Sequence, residues 1–309
     1  MPSKSFYSGT VIHIQMDILE FLEEDIGSGD ITTEALLGDE EATGVIIAKE
    51  RCVMAGLAEA KLVFEQFGLQ VKLVAADGQL IKKPGPVLTV TGKAHAILKG
   101  ERTALNIIMR MSGVATKTHA MVDKCRSVNP NIIVACTRKT TPGFRYFEKK
   151  AVFLGGGDTH RYGLDDAILI KDNHLKVLGS VKKALEKAKA RSEELLGRST
   201  DAPDFAKDSF AYRKIEIEVT DLAGAKEAAT AGADIIMLDN FKPEDAAKAF
   251  LAVKKIDPDI LVEVSGGMNE DNVLLYARNA DVISFGSLTH SYKSIDFSLE
   301  LEFVFPKKH

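Results

Sequence analysis

The sequence predicts an α/β protein in two parts: a mixed α+β region over roughly the first hundred residues, then a (β/α) barrel. Three observations carry this reading. From Asn131 onward, short apolar runs recur at residues 132–134, 152–154, 168–170, 215–219, 235–238, 261–264 and 282–285, with the length and composition of buried strands. Helical patterns at 181–190, 223–231 and 246–253 separate most of them, which implies parallel strands joined by right-handed crossovers. A doubly wound open sheet and a barrel both fit that alternation. Nearly every run, however, ends in polar or glycine residues on its C-terminal side, where barrel loops build one active face.

The elements follow in order. Residues 12–22 read as a short helix, and Glu24-Asp25-Ile26-Gly27-Ser28-Gly29-Asp30 as a turn-rich loop. Strands at 45–48 and 71–74 flank a helix at 57–67. Pro84-Gly85 turns the chain into a strand at 87–90 that ends at Gly92. A long helical pattern follows, its stripe formed by Ile97, Leu98, Leu105, Ile108 and Met109. Arg102 lies on the edge of that stripe, where its stem covers the core and its head reaches water. Residues 191–212 are polar, contain Gly197 and Pro203, and read as an insertion or mobile loop. Residues 303–305 are apolar and are expected to pack back on the body before a solvated Pro306-Lys307-Lys308-His309.

The chain has 309 residues, 45% hydrophobic and 27% charged, with a formal net charge of −4. That composition describes an ordinary globular protein of one large or two medium domains, and its slight acidity argues against a general nucleic-acid or membrane-surface binder. Cys52, Cys125 and Cys136 form no Cys-x-x-Cys pair, which suits a reducing compartment and gives no zinc or disulfide pattern. With no signal-peptide stretch after Met1 and no membrane-length apolar run, the expected location is cytoplasmic.

Against this acidic background, cations gather at predicted strand ends. Cys136-Thr137-Arg138-Lys139-Thr140-Thr141-Pro142-Gly143 follows the first run, Gly155-Gly156-Gly157-Asp158-Thr159-His160-Arg161 the second, and Lys171-Asp172-Asn173-His174 the third. Holding Arg138, Lys139, His160, Arg161 and Lys171 together is costly unless an anion lies among them. The pattern points to a pocket for a small, highly charged anion. Glu216 and Glu218 alternate with Ile215, Ile217 and Val219, which puts them on the opposite strand face from the apolar set. A lone buried Glu is commonly a salt-bridged scaffold residue. Asp239, ending the next strand opposite a basic cluster, tips the balance toward metal or cation stabilisation, and Asn240 either assists or serves as a turn. Ser265-Gly266-Gly267 and Gly286-Ser287 follow two consecutive late strands, where glycines let the backbone approach a phosphate. His119, His174 and His290, taken singly, read as structural.

These segments together resemble quinolinate phosphoribosyltransferase over nearly the whole chain. The resemblance also includes Gly100-Glu101-Arg102-Thr103-Ala104-Leu105-Asn106, Met111-Ser112-Gly113-Val114-Ala115-Thr116, Leu238-Asp239-Asn240 and Gly286-Ser287-Leu288-Thr289-His290. Two departures stand out: Asp158-Thr159 replaces an asparagine-containing dipeptide, and residues 191–212 are longer than usual.

The resemblance implies an N-terminal α/β sandwich over residues 1–115, on which a tail from about 295 to 309 packs, and an incomplete (β/α) barrel of about six to seven parallel strands over 116–294. It implies a homodimer in which Arg102 is supplied across the interface. The implied reaction joins quinolinate to phosphoribosyl pyrophosphate with magnesium, giving nicotinate mononucleotide, pyrophosphate and carbon dioxide in de novo NAD biosynthesis. Lys139, Glu218 and Asp239 would be catalytic, with Glu218 and Asp239 also holding the metal. Arg102, Thr137, Arg138, Lys139, His160, Arg161, Lys171, Ser265, Gly266, Gly267, Gly286, Ser287 and His290 would bind substrate. A paralogous pyrophosphorylase associated with molybdate transport is the close alternative, disfavoured by Thr140-Thr141-Pro142-Gly143 and Lys171-Asp172-Asn173-His174. A non-catalytic sensor of a phosphorylated nucleotide would need the anion site but not both Glu218 and Asp239.

Overall fold

A computed structural model describes residues 9–198 and 202–303. The expectations placed on the last six residues therefore lie outside the described residues. The chain divides into two compact units, one formed by Met1–Lys117, Tyr146–Gly155 and Tyr292–His309, the other by Thr118–Arg145 and Gly156–Ser291.

The first unit begins with α1 (Gly9–Ile26), α2 (Ile31–Leu36), β1 (Glu41–Ala48), β2 (Cys52–Val53), α3 (Leu57–Glu65), β3 (Gln70–Leu73), β4 (Leu80–Ile81) and β5 (Gly85–Lys93). The long α4 (Ala94–Arg126) follows, and the unit boundary falls within it. Ile14, Ile18 and Leu22 recur every four residues and are buried, so α1 shows the core a single apolar stripe. The loop expected at 24–30 is shorter than predicted, because residues 24–26 remain helical and Asp30 caps α2 by accepting the Thr33 N–H at 3.0 Å. In β1 every second residue is buried, the period of a sheet with one face on the core. The strand β12 (Phe297–Phe303) pairs antiparallel with β1, and the sheet runs β12-β1-β5-β3.

In the second unit, β6 (Ile133–Cys136) is followed by α5 (Arg145–Leu154), β7 (Ile168–Ile170), α6 (Asp172–Leu178), α7 (Val181–Leu196), α8 (Asp204–Lys207) and β8 (Ile215–Val219). Then come α9 (Leu222–Thr230), β9 (Ile235–Asp239), α10 (Pro243–Ile256), β10 (Leu261–Ser265), α11 (Val273–Ala277), β11 (Val282–Phe285) and α12 (Ser287–His290). The six strands form one all-parallel sheet in the order β6-β11-β10-β9-β8-β7. Strands β6 and β7 end that sheet unpaired with each other, so the barrel is incomplete. At the β6 edge a single parallel bridge joins Ala135 to Asp158, with Asp158 N–H donating to Val134 O at 2.7 Å.

Two expectations are corrected. Residues 152–154 are the last turn of α5, which belongs to the first unit except for Arg145. Phe147 and Ala151, four residues apart, and then Val152 are buried on this helix. A three-residue apolar run cannot distinguish a helix end from a strand, and here Gly155 and Gly156, the latter at φ +85°, terminate the helix. Ion pairs through buried carboxylates hold α5 within its unit: Arg110 Nη2 to Glu148 Oε1 at 2.7 Å and Lys150 Nζ to Glu59 Oε1 at 2.6 Å. Residues 191–212 are also less irregular than expected. Residues 191–196 extend α7, 204–207 form α8, and Ser209 Oγ donates to Asp158 at 2.6 Å. Among the described residues, no helix is long and apolar enough to cross a membrane.

Candidate active site

A cavity of about 560 Å³ opens at the C-terminal ends of the parallel strands in the second unit. Thr137, Arg138 and Lys139 reach it from the end of β6, Lys171 from the end of β7, and Glu218 from β8. Asp239 comes from β9, and Ser265, Gly266 and Gly267 from the end of β10. His160 and Arg161 complete the wall from the segment that follows the Asp158 bridge.

Four of the expected site residues stand outside the lining. Gly286 sits against Lys139: a Cβ there would lie 2.9 Å from Lys139 Cδ and 3.0 Å from His290 Nε2, so the glycine makes room for the lysine stem. His290 is exposed and its Nδ1 pairs with Ser291 Oγ at 2.7 Å. Ser287 opens α12 and does not line the cavity. Thr289 Oγ donates to Lys139 O at 2.9 Å, tying α12 to the loop after β6. Arg102 is exposed on α4 in the first unit.

The charges are arranged in opposition. Burial, then the neighbouring Arg138 cation, lower the Arg161 pKa from its ordinary value, while Glu216 and Asp166 offset part of that effect. Arg138 Nε is buried and, among the described residues, has no hydrogen-bond partner. Two crowded guanidiniums, one with an unanswered buried donor, suit a carboxylate or phosphate. Lys171 Nζ donates to Glu218 Oε2 at 2.8 Å. Asn240 Nδ2 donates to Asp239 Oδ2 at 2.6 Å, and the Asn240 backbone, at φ +57°, donates to Ser265 O at 3.0 Å. Gly266, at φ +92°, accommodates this approach, since a Cβ there would overlap Asn240 Oδ1 and lie 2.8 Å from its backbone nitrogen.

Asp158 does not line the cavity. Its carboxylate accepts the His160 N–H at 2.6 Å, the Ser209 hydroxyl at 2.6 Å and the Phe210 N–H at 3.2 Å. It thus braces the loop without repelling an anion in the pocket.

Sequence reasoning missed Glu263, Leu169 and Met237, all of which line the cavity. It gave Glu216 no place in the site. Glu216 on β8 and Glu263 on β10 are buried, with His160 Nε2 at 3.3 Å and 3.2 Å from their Oε2 atoms. A carboxylate inside a predicted buried strand requires a buried partner, and that requirement was the available signal for Glu263.

Comparison with known proteins bears on the whole chain. Residues 114–300 match the quinolinate phosphoribosyl transferase C-terminal domain and residues 30–112 its N-terminal domain. The chain is 46% identical over 286 residues to the probable nicotinate-nucleotide pyrophosphorylase [carboxylating] of Methanocaldococcus jannaschii, covering 91% of this chain and 94% of that one. It is 39% identical over 255 residues to the human nicotinate-nucleotide pyrophosphorylase [carboxylating], covering 82% and 80%. The structure of the nicotinate-nucleotide pyrophosphorylase from Francisella tularensis superposes with a TM-score of 0.83 at 33% identity, covering 97% of this chain and all of the other.

Proposed function

The chain belongs to the quinolinate phosphoribosyltransferase family, and from that premise we propose how its second unit does the family's chemistry. The activity is phosphoribosyl transfer from phosphoribosyl pyrophosphate to quinolinate with decarboxylation, yielding nicotinate mononucleotide, a step of de novo NAD biosynthesis. The observation that supports it best is one cavity with two kinds of charge: Arg138, Lys139, Arg161 and Lys171 toward an anion, and Glu218 and Asp239 toward a developing cation.

Quinolinate brings two carboxylates, which Arg138, Arg161 and Lys171 answer, the arginines in bidentate fashion. The sugar donor brings a phosphate and a pyrophosphate. Lys139 and the backbone of Ser265, Gly266 and Gly267 answer those, with Thr137, Gly286, Ser287 and His290 shaping the adjoining wall. The pyridine nitrogen forms a bond to the anomeric carbon as the bond to pyrophosphate breaks. Positive charge grows on the ribose at that moment, and Glu218 and Asp239 stabilise it more in the transition state than in the ground state. The alkylated ring nitrogen is then cationic and stabilises the electron pair left on the adjacent ring carbon when its carboxylate departs as carbon dioxide, and that pair then takes a proton. Orientation is the protein's main contribution to this second step.

Glu218 and Asp239 offer hard oxygen donors in a cavity that also receives phosphates, which fits magnesium, an ion commonly held by one or two carboxylates together with substrate oxygens. Bound there, magnesium would neutralise charge on the departing pyrophosphate. Arg102, exposed in the first unit, is assigned to the active site of a second copy in a homodimer. Three free cysteines suit a cytoplasmic location.

The test is direct. Incubated with carboxyl-labelled quinolinate, phosphoribosyl pyrophosphate and magnesium, the protein releases carbon dioxide and pyrophosphate in equal amounts. Pyrophosphate without carbon dioxide, or neither, would refute the assignment.

A further inference from the structure

His160 is the one buried histidine among those whose burial is described, and both its ring nitrogens face groups inside the protein. Nδ1 accepts the Arg161 N–H at 2.5 Å, and Nε2 faces Glu216 Oε2 at 3.3 Å and Glu263 Oε2 at 3.2 Å. The Phe210 ring meets the imidazole edge-on, with centroids 5.3 Å apart. The backbone of His160 holds φ at +51°, a conformation that persists in a non-glycine residue only where the surroundings enforce it.

A ring nitrogen that accepts an amide N–H carries no proton, so the ring proton sits on Nε2, between the two carboxylates. That arrangement argues against a metal ion among these three groups, although their ligand atoms lie within 4.8 Å of one another. A metal-bound histidine donates from its second nitrogen, whereas this one accepts.

The consequence falls on Arg161. Its own amide is pinned to the clamped ring, and just beyond it Asp166 takes the Tyr162 and Gly163 N–H groups at 2.6 and 3.1 Å. The backbone that carries the Arg161 guanidinium is thus fixed on both sides.

We propose that Glu216 and Glu263 are positioning residues for quinolinate binding, holding His160 as an internal strut that aims Arg161, and that His160 itself donates nothing to the substrate. The proposal rests on the reading of this cavity as the quinolinate site, and it replaces the sequence expectation of His160 as a substrate ligand.

The wild-type carbon dioxide assay separates the two levels. Without turnover the site reading fails and the proposal falls with it; with turnover, the following measurements bear on the proposal alone. In protein labelled with 15N at histidine, the slowly exchanging buried ring shows a protonated Nε2 and a bare Nδ1, unchanged by saturating quinolinate. A proton on Nδ1, or loss of the Nε2 proton when quinolinate binds, overturns the proposal. Kinetically, Glu216→Gln and Glu263→Gln each raise KM for quinolinate on the order of tenfold while KM for phosphoribosyl pyrophosphate moves less than about twofold. Combined with His160→Phe, neither adds to the loss. Additive losses, or equal rises in both KM values, contradict it. Should the His160→Phe chain fail to fold, the wild-type spectra and the two Gln variants decide.

Discussion

Gly266→Ala tests how tightly the floor of the cavity is built. At φ +92° an alanine is strained whatever space surrounds it, a cost of about 1–3 kcal/mol. The space is also taken, since the new Cβ would overlap Asn240 Oδ1 and lie 2.7 Å from its Cγ. Asn240 cannot retreat cheaply, because its backbone is held by Ser265 O and its amide by Asp239. Displacing it removes the hydrogen bond that orients the Asp239 carboxylate. That bond is solvent-exposed, so its loss sits at the low end of the range for bonds to charged groups. A total of about 3 kcal/mol lowers Tm by about 6–12 °C for a unit of this size. Misplacing Asp239 lowers kcat by up to about a hundredfold. Gly267→Ala is the matched control. Its φ is +63° but nothing lies within 4 Å of the added Cβ, so it incurs only the left-handed backbone cost of about 1–2 kcal/mol. Thermal melts and steady-state kinetics on the two variants decide the matter. If both lose the same stability and both keep wild-type kcat, the Asn240 contact has no bearing on Asp239 and the reasoning is wrong.

Other outcomes follow from the same geometry. Glu218→Ala and Asp239→Ala lower kcat far more than they weaken quinolinate, because their interaction strengthens as charge develops on the ribose; surviving turnover with only quinolinate KM raised would reverse the assignment. Mixing Arg102→Ala chains with Lys139→Ala chains restores part of the activity, since a hybrid dimer holds one intact site, and no recovery in verified hybrids would contradict site sharing. Burial pushes the Cys52 and Cys125 thiols up to about 11, leaving roughly one in a thousand ionised at pH 8. Native protein therefore resists a thiol-colouring reagent until it is unfolded, and rapid labelling of either cysteine in the native state would show the burial to be wrong.

Most of the parallel strands were legible because they are largely buried and read as short apolar runs, although Glu216 and Glu218 interrupt β8 and Glu263 interrupts β10. Residues 152–154 carried the same mark at the end of a helix, and only the i, i+4 partners Phe147 and Ala151 distinguish the two. The polar stretch at 191–212 hid a helix extension, because α7 presents only Ala184, Leu185 and Leu196 to the core. Arg138, Lys139, Lys171, Glu218 and Asp239 could be grouped from sequence because each follows or ends a recognisable strand, and strand ends share one face of a barrel. Glu263 could not be grouped this way. It stands between Val262 and Val264 and meets His160, about a hundred residues away, only through the fold. The orientation of Asp158 was equally hidden, since its partners Ser209 and Phe210 lie across the polar stretch.

The most direct measurement of the central claim is a competition between quinolinate and nicotinate at equal concentration, with phosphoribosyl pyrophosphate and magnesium. Nicotinate lacks the second carboxylate and leaves part of the cation cluster of Arg138, Arg161 and Lys171 unanswered. An unmatched desolvated charge costs about 2–5 kcal/mol, a factor of roughly thirty to several thousand. The account predicts that quinolinate is consumed almost exclusively, and that Arg138→Ala or Arg161→Ala narrows the preference by weakening quinolinate alone. Comparable use of the two pyridines by the unaltered protein would contradict it.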